Sequence, residues 1–252
     1  MLLTYAIGDV HGRSDLLQTV ITFCEEDGAR SGGTPRIIFL GDLVDRGRDA
    51  KGCLEIVGRA LTDYPASVFL RGNHDDWFLR FLENDRRQLR TWFHDGGRET
   101  VDSYCDLDID DARRFILSQH PGHLDLLRRS TFMVEEGALL FVHAGIQPGI
   151  VLKAQSPEDL MWIREPFLKP SRQAASGHRP RRLGHESSAA GGHRESDIHG
   201  HGRLLDGPIV GSRNRSGRNK SYRSSRSMAT ADRSSKSILW NATAGMARCW
   251  MI

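Results

Sequence analysis

The sequence of 252 residues predicts an α/β fold. Three short apolar runs carry that expectation, because each feeds directly into a glycine-rich turn and then an amphipathic stretch. Thr4-Tyr5-Ala6-Ile7 runs into Gly8-Asp9-Val10-His11-Gly12. Ile37-Ile38-Phe39-Leu40 runs into Gly41-Asp42-Leu43-Val44-Asp45-Arg46-Gly47. Val68-Phe69-Leu70 runs into Arg71-Gly72-Asn73-His74-Asp75. Strand, turn and helix repeated in this way imply parallel strands, whose carboxyl ends line one edge of the sheet, where ligands bind in such folds. Three blocks far apart in the chain can thus meet at one site.

The elements follow in order. Arg13–Asp27 carries Leu16, Leu17, Val20, Ile21 and Cys24 at helical spacing, with Gly28 as the expected stop. Gly32-Gly33-Thr34-Pro35 is a turn before the second strand. Ala50–Leu61 repeats the amphipathic pattern through Leu54, Ile56, Val57 and Leu61. A third helix opens over Asp76–Leu82, with Trp77, Phe78 and Phe81 on its core face. Residues 83–130 read as charged helices that cap the site, and their His94, His120 and His123 as structural or solvated. Thr131–Val134 and Ala138–Val142 form a hairpin about the turn Glu135-Glu136-Gly137, with His143-Ala144-Gly145 just beyond it. Pro157–Ile163 is a short helix.

Past Ser171 the pattern collapses into Arg, Ser and Gly. Residues 1–170 hold 20 Lys and Arg against 27 Asp and Glu, whereas residues 171–252 hold 15 against 5. The overall pI near 8.8 therefore describes neither part and is no argument for a nucleic-acid-binding enzyme. The chain divides into an expected catalytic domain, 1–170, and a tail, 171–252, too poor in apolar periodicity to offset its ordering entropy. Cys24, Cys53, Cys105 and Cys249 form no Cys-x-x-Cys pair. Together with the lack of a signal-like N-terminus or a membrane-length apolar run, they point to a reduced, cytoplasmic protein with no membrane partner.

Carboxylate, imidazole and amide oxygen suit a hard or borderline divalent cation such as Mn²⁺, Mg²⁺, Fe²⁺ or Zn²⁺. Asp9 and His11 alternate past a strand and can face one ion. Asp42 is placed to bridge two. Asn73 offers a neutral oxygen and His143 an imidazole from the hairpin. His74 is placed as a general acid with Asp45 fixing its tautomer. Arg46 and Arg164 can hold phosphate oxygens in bidentate fashion.

The order of these blocks, followed by Phe141-Val142-His143-Ala144-Gly145 and Trp162-Ile163-Arg164-Glu165, resembles the PPP family of calcineurin-like metallophosphoesterases. Trp92, Gly96-Gly97-Arg98-Glu99-Thr100 and Ser103-Tyr104 bring the resemblance nearest to short bacterial serine/threonine protein phosphatases. It covers residues 4–168 and implies a β-sandwich of two mixed sheets flanked by helices. It also implies two divalent ions, Mn²⁺ first among them. Asp9 and His11 would hold the first, Asn73 and His143 the second, and Asp42 would bridge them. The implied reaction is hydrolysis of phosphomonoesters by in-line attack of a metal-bridged hydroxide, with His74 and Asp45 catalytic and Arg46 and Arg164 on the phosphate. The expected substrate is a phosphoprotein or a small phosphoester. The alternatives are symmetrical hydrolysis of diadenosine tetraphosphate, or an inactive product.

The resemblance also calls for a last ligand from a Gly-His-Thr block near residue 180. Only Gly177-His178 and Gly184-His185 stand nearby. The stretch Arg194–Ile209, read one base forward, can encode Glu-Asn-Arg-Ile-Phe-Met-Asp-Thr-Gly-Ala-Tyr-Ser-Thr-Gly-Arg-Leu, which matches the family's usual closing segment. The tail is therefore expected to be an out-of-frame reading that begins between Lys169 and His178. On that reading the domain's end is disordered or incomplete, and the tail's histidines and basic residues carry no selected site.

Overall fold

The computed structural model describes residues 1–137 and 139–164, and the backbone of three short strands beyond them. Both candidate Gly-His pairs of the tail, and most of the stretch read as out of frame, lie outside the described residues.

Two sheets face one another. The first runs in the order β3-β2-β1-β8-β7, with β1 (Leu2–Ile7) parallel to β2 (Thr34–Phe39), and β2 parallel to β3 (Val68–Phe69). On the other side of β1 lie β8 (Ala247–Met251), parallel, and then β7 (Lys236–Leu239), antiparallel to β8. The second sheet is β4 (Met133–Glu136), β5 (Leu139–Val142) and β6 (Arg203–Asp206), antiparallel throughout these strands. Backbone from beyond residue 170 thus enters both sheets. No helix among the described residues is long and apolar enough to cross a membrane.

The period-two alternation of the strands sorts the core. Tyr5, Ile7, Ile37 and Phe39 pack under α1 (Ser14–Ser31), α2 (Ala50–Asp63) and α3 (Asn73–Leu82). The intervening Ala6, Ile38 and Leu40 face Phe141 of the second sheet. Both faces of β1 and β2 are covered, which is why these strands read as nearly unbroken apolar runs. Leu140 and Val142 cover the far face of the second sheet together with Leu160 of α8 (Pro157–Trp162).

Several boundaries differ from expectation: Glu135 and Glu136, expected in the turn, pair with Leu140 and Leu139 inside the hairpin strands, α2 runs on to Asp63, and two differences bear on the site's scaffold. Gly28 does not stop α1, which continues to Ser31 and ends at Gly32 in the left-handed region (φ 63°). Gly28 instead gives β2 room to pass, since a Cβ there would sit 3.0 Å from the Gly33 carbonyl oxygen and the Pro35 ring. Helix α3 begins at Asn73, three residues before the expected start at Asp76, so Asn73 and His74 occupy its first turn. Between α3 and β4 the chain is helical as expected, as α4 (Leu89–Trp92), α5 (Arg98–Asp102), α6 (Ile109–Gln119) and α7 (Pro121–Arg129). Trp77, Phe78 and Phe81 are buried, as their spacing predicted.

Candidate metal centre

Register places the site. Ile7 pairs with Phe39, and Phe39 with Phe69, so the residues following β1, β2 and β3 leave the sheet at one edge. His143 follows β5 on the facing sheet. The loops at this edge are tightly wound. Of the five non-glycine residues with positive φ among the described residues, four are His11 (44°), Asp42 (54°), Asp45 (72°) and Arg46 (65°). Each such residue costs about 1 kcal/mol or more, and strain of this kind gathers at working sites. The backbone is held there by Val10 and His11 N–H groups donating to the Asp42 carbonyl at 3.0 and 2.9 Å. Gly72 is obligatory, because a Cβ on it would fall on the Asp42 carboxylate.

Asp42 is the centre. It is fully buried, and its Oδ1 accepts from the His74 backbone N–H at 3.1 Å. His143 Nε2 lies 3.6 Å from that Oδ1, and His11 Nε2 lies 3.7 Å from Oδ2. Oδ2 has no hydrogen-bond partner among the described residues although it is buried. Burial works to raise the Asp42 carboxyl, but the His143, His74 and His11 imidazoles outweigh it and hold the group below the usual carboxylate range.

Each flanking histidine is oriented from behind. His11 Nδ1–H donates to the Val44 carbonyl at 2.9 Å, which leaves Nε2 as an acceptor facing inward. Burial first, then His74 and Arg46, lower His11 to about 4, so its ring is neutral near pH 7. His143 Nδ1–H donates to the Leu40 carbonyl at 2.8 Å. Its Nε2 then meets Asn73 Oδ1 at 3.0 Å. Burial lowers the affinity of His143 for its proton, but the Asp42 charge prevails and raises it, and the protonated ring donates from Nε2–H to Asn73 Oδ1; a bound cation would take the place of that proton. Asp9, Asp42 and His143 have ligand atoms within 4.8 Å of one another, and so do His11, Asp42 and His74. Two groups of hard and borderline donors share one carboxylate, and that carboxylate has a buried oxygen without a hydrogen bond. The residues fit a pair of divalent ions.

The His74–Asp45 pair is also assembled. His74 Nδ1–H donates to Asp45 Oδ2 at 2.6 Å, so Nε2 faces the site. Burial lowers the affinity of His74 for its proton, but the Asp45 hydrogen bond and the Asp42 charge prevail and hold the imidazole above its ordinary value. Asp45 itself is raised by burial, against the bonds it accepts. Arg46 spans the two rings, its Nη1 3.0 Å from His11 Nε2 and its Nη2 3.2 Å from His74 Nε2. Arg164 is not brought in. It lies exposed beyond α8 and makes no hydrogen bond or ion pair among the described residues.

Three supporting residues had no assigned role in the sequence reading. Asp75, buried at the third position of α3, accepts from the N–H groups of Asp42 (2.7 Å), Leu43 (3.0 Å) and Gly72 (2.9 Å), and so ties two of the loops together. Burial and the Asp42 charge raise it to about 6. Thr100 Oγ1 donates to Asp45 Oδ1 at 2.6 Å and Trp92 Nε1–H donates to Oδ2 at 2.8 Å. The capping helices thus reach the His74–Asp45 pair. The signal was an acidic residue three positions past Gly72, which is a helix-start pattern. Trp92 and Thr100 stood in the blocks that carry the resemblance, but nothing local ties them to Asp45, because that partner lies in another loop.

Comparison with known proteins agrees with this geometry. The chain is 32% identical over 145 residues to a symmetrical bis(5'-nucleosyl)-tetraphosphatase of Dechloromonas aromatica, covering 58% of this chain and 44% of that protein. It is 30% identical over 180 residues to the same enzyme of Ralstonia nicotianae, covering 70% of this chain and 54% of that one. It is also 27% identical over 173 residues to serine/threonine-protein phosphatase 1 of Salmonella typhimurium, covering 65% and 69%. The chain therefore spans about half the length of the two tetraphosphatases. The family description of calcineurin-like phosphoesterases matches residues 2–206, the span that holds every residue of the centre described above, and the chain belongs to that family.

Proposed function

We propose that this chain hydrolyses phosphomonoesters, phosphoserine and phosphothreonine on proteins foremost, with two divalent ions of which Mn²⁺ is the first candidate. The observation that carries the reading is Asp42, a buried carboxylate with one oxygen toward His143 and the other toward His11. Asp9, His11 and Asp42 would hold one ion, and Asp42, Asn73 and His143 the other. When bound, the ions would supply Lewis acidity and lower the pKa of the attacking water.

The protein's own groups account for the rest. His74 presents Nε2 to the site and gives a proton to the departing oxygen. Asp45 keeps that ring in the Nδ1–H form and stabilises its charge. In the present arrangement the Arg46 guanidinium donates to His74 Nε2, which requires the neutral ring. A phosphate that draws Arg46 onto its own oxygens frees Nε2 to carry a proton, so substrate binding and arming of the acid are linked. Arg164 completes the phosphate grip only if the segment after α8 turns inward. Catalysis is assigned to residues 1–170, and the tail is read as out of frame, which resequencing of the coding DNA tests directly.

The two tetraphosphatase relatives support a second reading, symmetrical cleavage of a dinucleoside tetraphosphate. Phosphate release from a phosphoserine peptide is compared with ADP formation from diadenosine tetraphosphate, each in Mn²⁺. ADP formation alone would overturn the protein-phosphatase reading. Hydrolysis of neither would favour an inactive product.

A further inference from the structure

A second group of ligating side chains lies outside the centre, where α2 meets the corner between α6 and α7. His120 is the residue before α7, and His123 is the third residue of that helix. The His123 N–H donates to the His120 carbonyl at 3.0 Å, and the two rings stack with centroids 5.3 Å apart. Glu55 comes from α2. One nitrogen from each imidazole and one Glu55 carboxylate oxygen lie within 4.8 Å of one another. Among the described residues neither the Glu55 carboxylate nor the His120 ring takes part in a hydrogen bond or ion pair. Three donors are thus gathered without bonding each other.

His123 is held as a ligand would be. It is buried, and its Nδ1 lies 2.6 Å from the hydroxyl of buried Tyr104. Burial holds that phenol well above its ordinary value, so it stays protonated. When Nδ1–H donates to the Tyr104 oxygen, Nε2 keeps its lone pair for a cation, the arrangement usual for a metal-bound histidine. The Lys51 ammonium opposes a cation here, as do the guanidinium groups of the adjoining cavity. Glu55 and His123 also border a cavity of about 700 Å³ that Arg59 and Arg129 line on its other sides.

We propose that Glu55, His120 and His123 form a zinc site that ties α2 to the α6–α7 corner, with its remaining coordination position open to the cavity. Two imidazoles and a carboxylate with one open position are zinc chemistry. Bonds of about 2.0–2.2 Å set tetrahedral ligand atoms roughly 3.3–3.6 Å apart. The three ligand atoms lie within 4.8 Å of one another, and a change of rotamer of the exposed Glu55 side chain can bring them to that spacing. The spacing His-x-x-His did not announce the site in the sequence, because the third donor comes from a different helix.

The test is zinc stoichiometry. The full chain is stripped with chelator and equilibrated with Zn²⁺ alone, and bound zinc is measured by elemental analysis for wild type, Glu55→Gln and His120→Gln. His120 makes no side-chain cap to α7, so its replacement leaves that helix start intact. Each variant is expected to lose one zinc equivalent at a concentration that saturates wild type, and to lose part of the zinc-induced rise in melting temperature. Retention of the full wild-type stoichiometry and affinity by both variants would overturn the proposal. So would a wild type that binds no zinc beyond what Asp42→Asn removes. The comparison is read against wild type, so it holds whichever phosphoester the main centre hydrolyses.

Discussion

Asp45→Asn separates the charge behind His74 from the geometry that holds it. In the native site Oδ2 accepts from His74 Nδ1–H at 2.6 Å and Trp92 Nε1–H at 2.8 Å, while Oδ1 accepts from the Thr100 hydroxyl at 2.6 Å. Asparagine keeps an oxygen for His74 and Trp92 and sets its amide against Thr100, whose hydroxyl can turn to accept. The fold should therefore lose no more than one neutral hydrogen bond, about 1 kcal/mol. The imidazolium loses more. Charge-assisted bonds are roughly twice as strong as neutral ones, which removes about 1–2 kcal/mol, or about one pKa unit. His74 is raised above its ordinary value in the native protein. Activity that needs the protonated ring is present below that pKa and is lost as pH rises through it, so the alkaline limb of the variant should move about one unit lower. General-acid assistance is worth about 10²–10⁴-fold, and the need for it grows with the basicity of the leaving group. An alkoxide leaving from phosphoserine needs the proton, whereas nitrophenolate departs without it. In steady-state kinetics at saturating Mn²⁺, turnover of a phosphoserine peptide should fall about 5- to 30-fold, the equivalent of about 1–2 kcal/mol, and that of p-nitrophenyl phosphate should hardly change. Equal losses on both substrates with Mn²⁺ binding intact would refute the assignment of His74 as the acid.

Other perturbations have equally definite outcomes. Asp42→Asn should abolish Mn²⁺-dependent turnover and the metal-induced rise in melting temperature together, as followed by calorimetry with and without Mn²⁺. Removal of metal by EDTA should likewise stop wild-type turnover until Mn²⁺ is returned. Arg46→Ala should raise KM by roughly 10- to 100-fold, the worth of a charge-assisted phosphate contact, and Arg164→Ala should raise it less, since Arg164 lies outside the cluster. Gly72→Ala should cost more than about 100-fold in turnover, because its methyl group would displace Asp42. His123 should make stability depend on pH in EDTA. Its folded value is about 4 against an ordinary 6.5, so the unfolded chain binds the extra proton in that interval. Stability should then rise from pH 4 to 6.5 by at most about 3 kcal/mol. Urea unfolding at several pH values would show the slope, and His123→Gln should flatten it.

The residues of the centre were legible in the sequence because each sits within a few positions of a strand end. Strand, glycine and ligand are all local signals, and parallel register turns three local signals into one place. His143 was legible for the same reason from the hairpin. What could not be read was support that reaches across the fold. Trp92 and Thr100 look like ordinary helical residues until Asp45 arrives between them. Helix boundaries were misread where packing overrode propensity, as at Gly28, which serves an approaching strand rather than a helix end. Arg164 was named from a motif alone, and its neighbour Trp162 is the residue that packs toward the centre, 5.0 Å from Trp77, which in turn lies 5.1 Å from His74.

The strained loops explain why so much of the scaffold is polar. Four residues in the left-handed region together cost about 4 kcal/mol or more, which is a large share of the stability of a typical domain. They persist because the surrounding groups over-determine them. Asp75 takes the Asp42, Leu43 and Gly72 N–H groups, Thr100 takes the Asp45 N–H at 2.8 Å, and the Gly96 carbonyl takes the Arg46 N–H at 3.0 Å. None of these three residues has a ligand atom in the metal-binding groups, yet each fixes one that the reaction depends on. Removing one should therefore act on turnover through geometry. Thr100→Val leaves Asp45 Oδ1 buried without a donor, at a cost of about 1–3 kcal/mol, and lets Asp45 and the ring of His74 drift together. Its signature would be a fall in turnover on both aryl and alkyl phosphates, unlike the leaving-group-dependent loss expected of Asp45→Asn. Thr100 and His74, the proposed proton donor, touch the same carboxylate, and that contrast separates their effects.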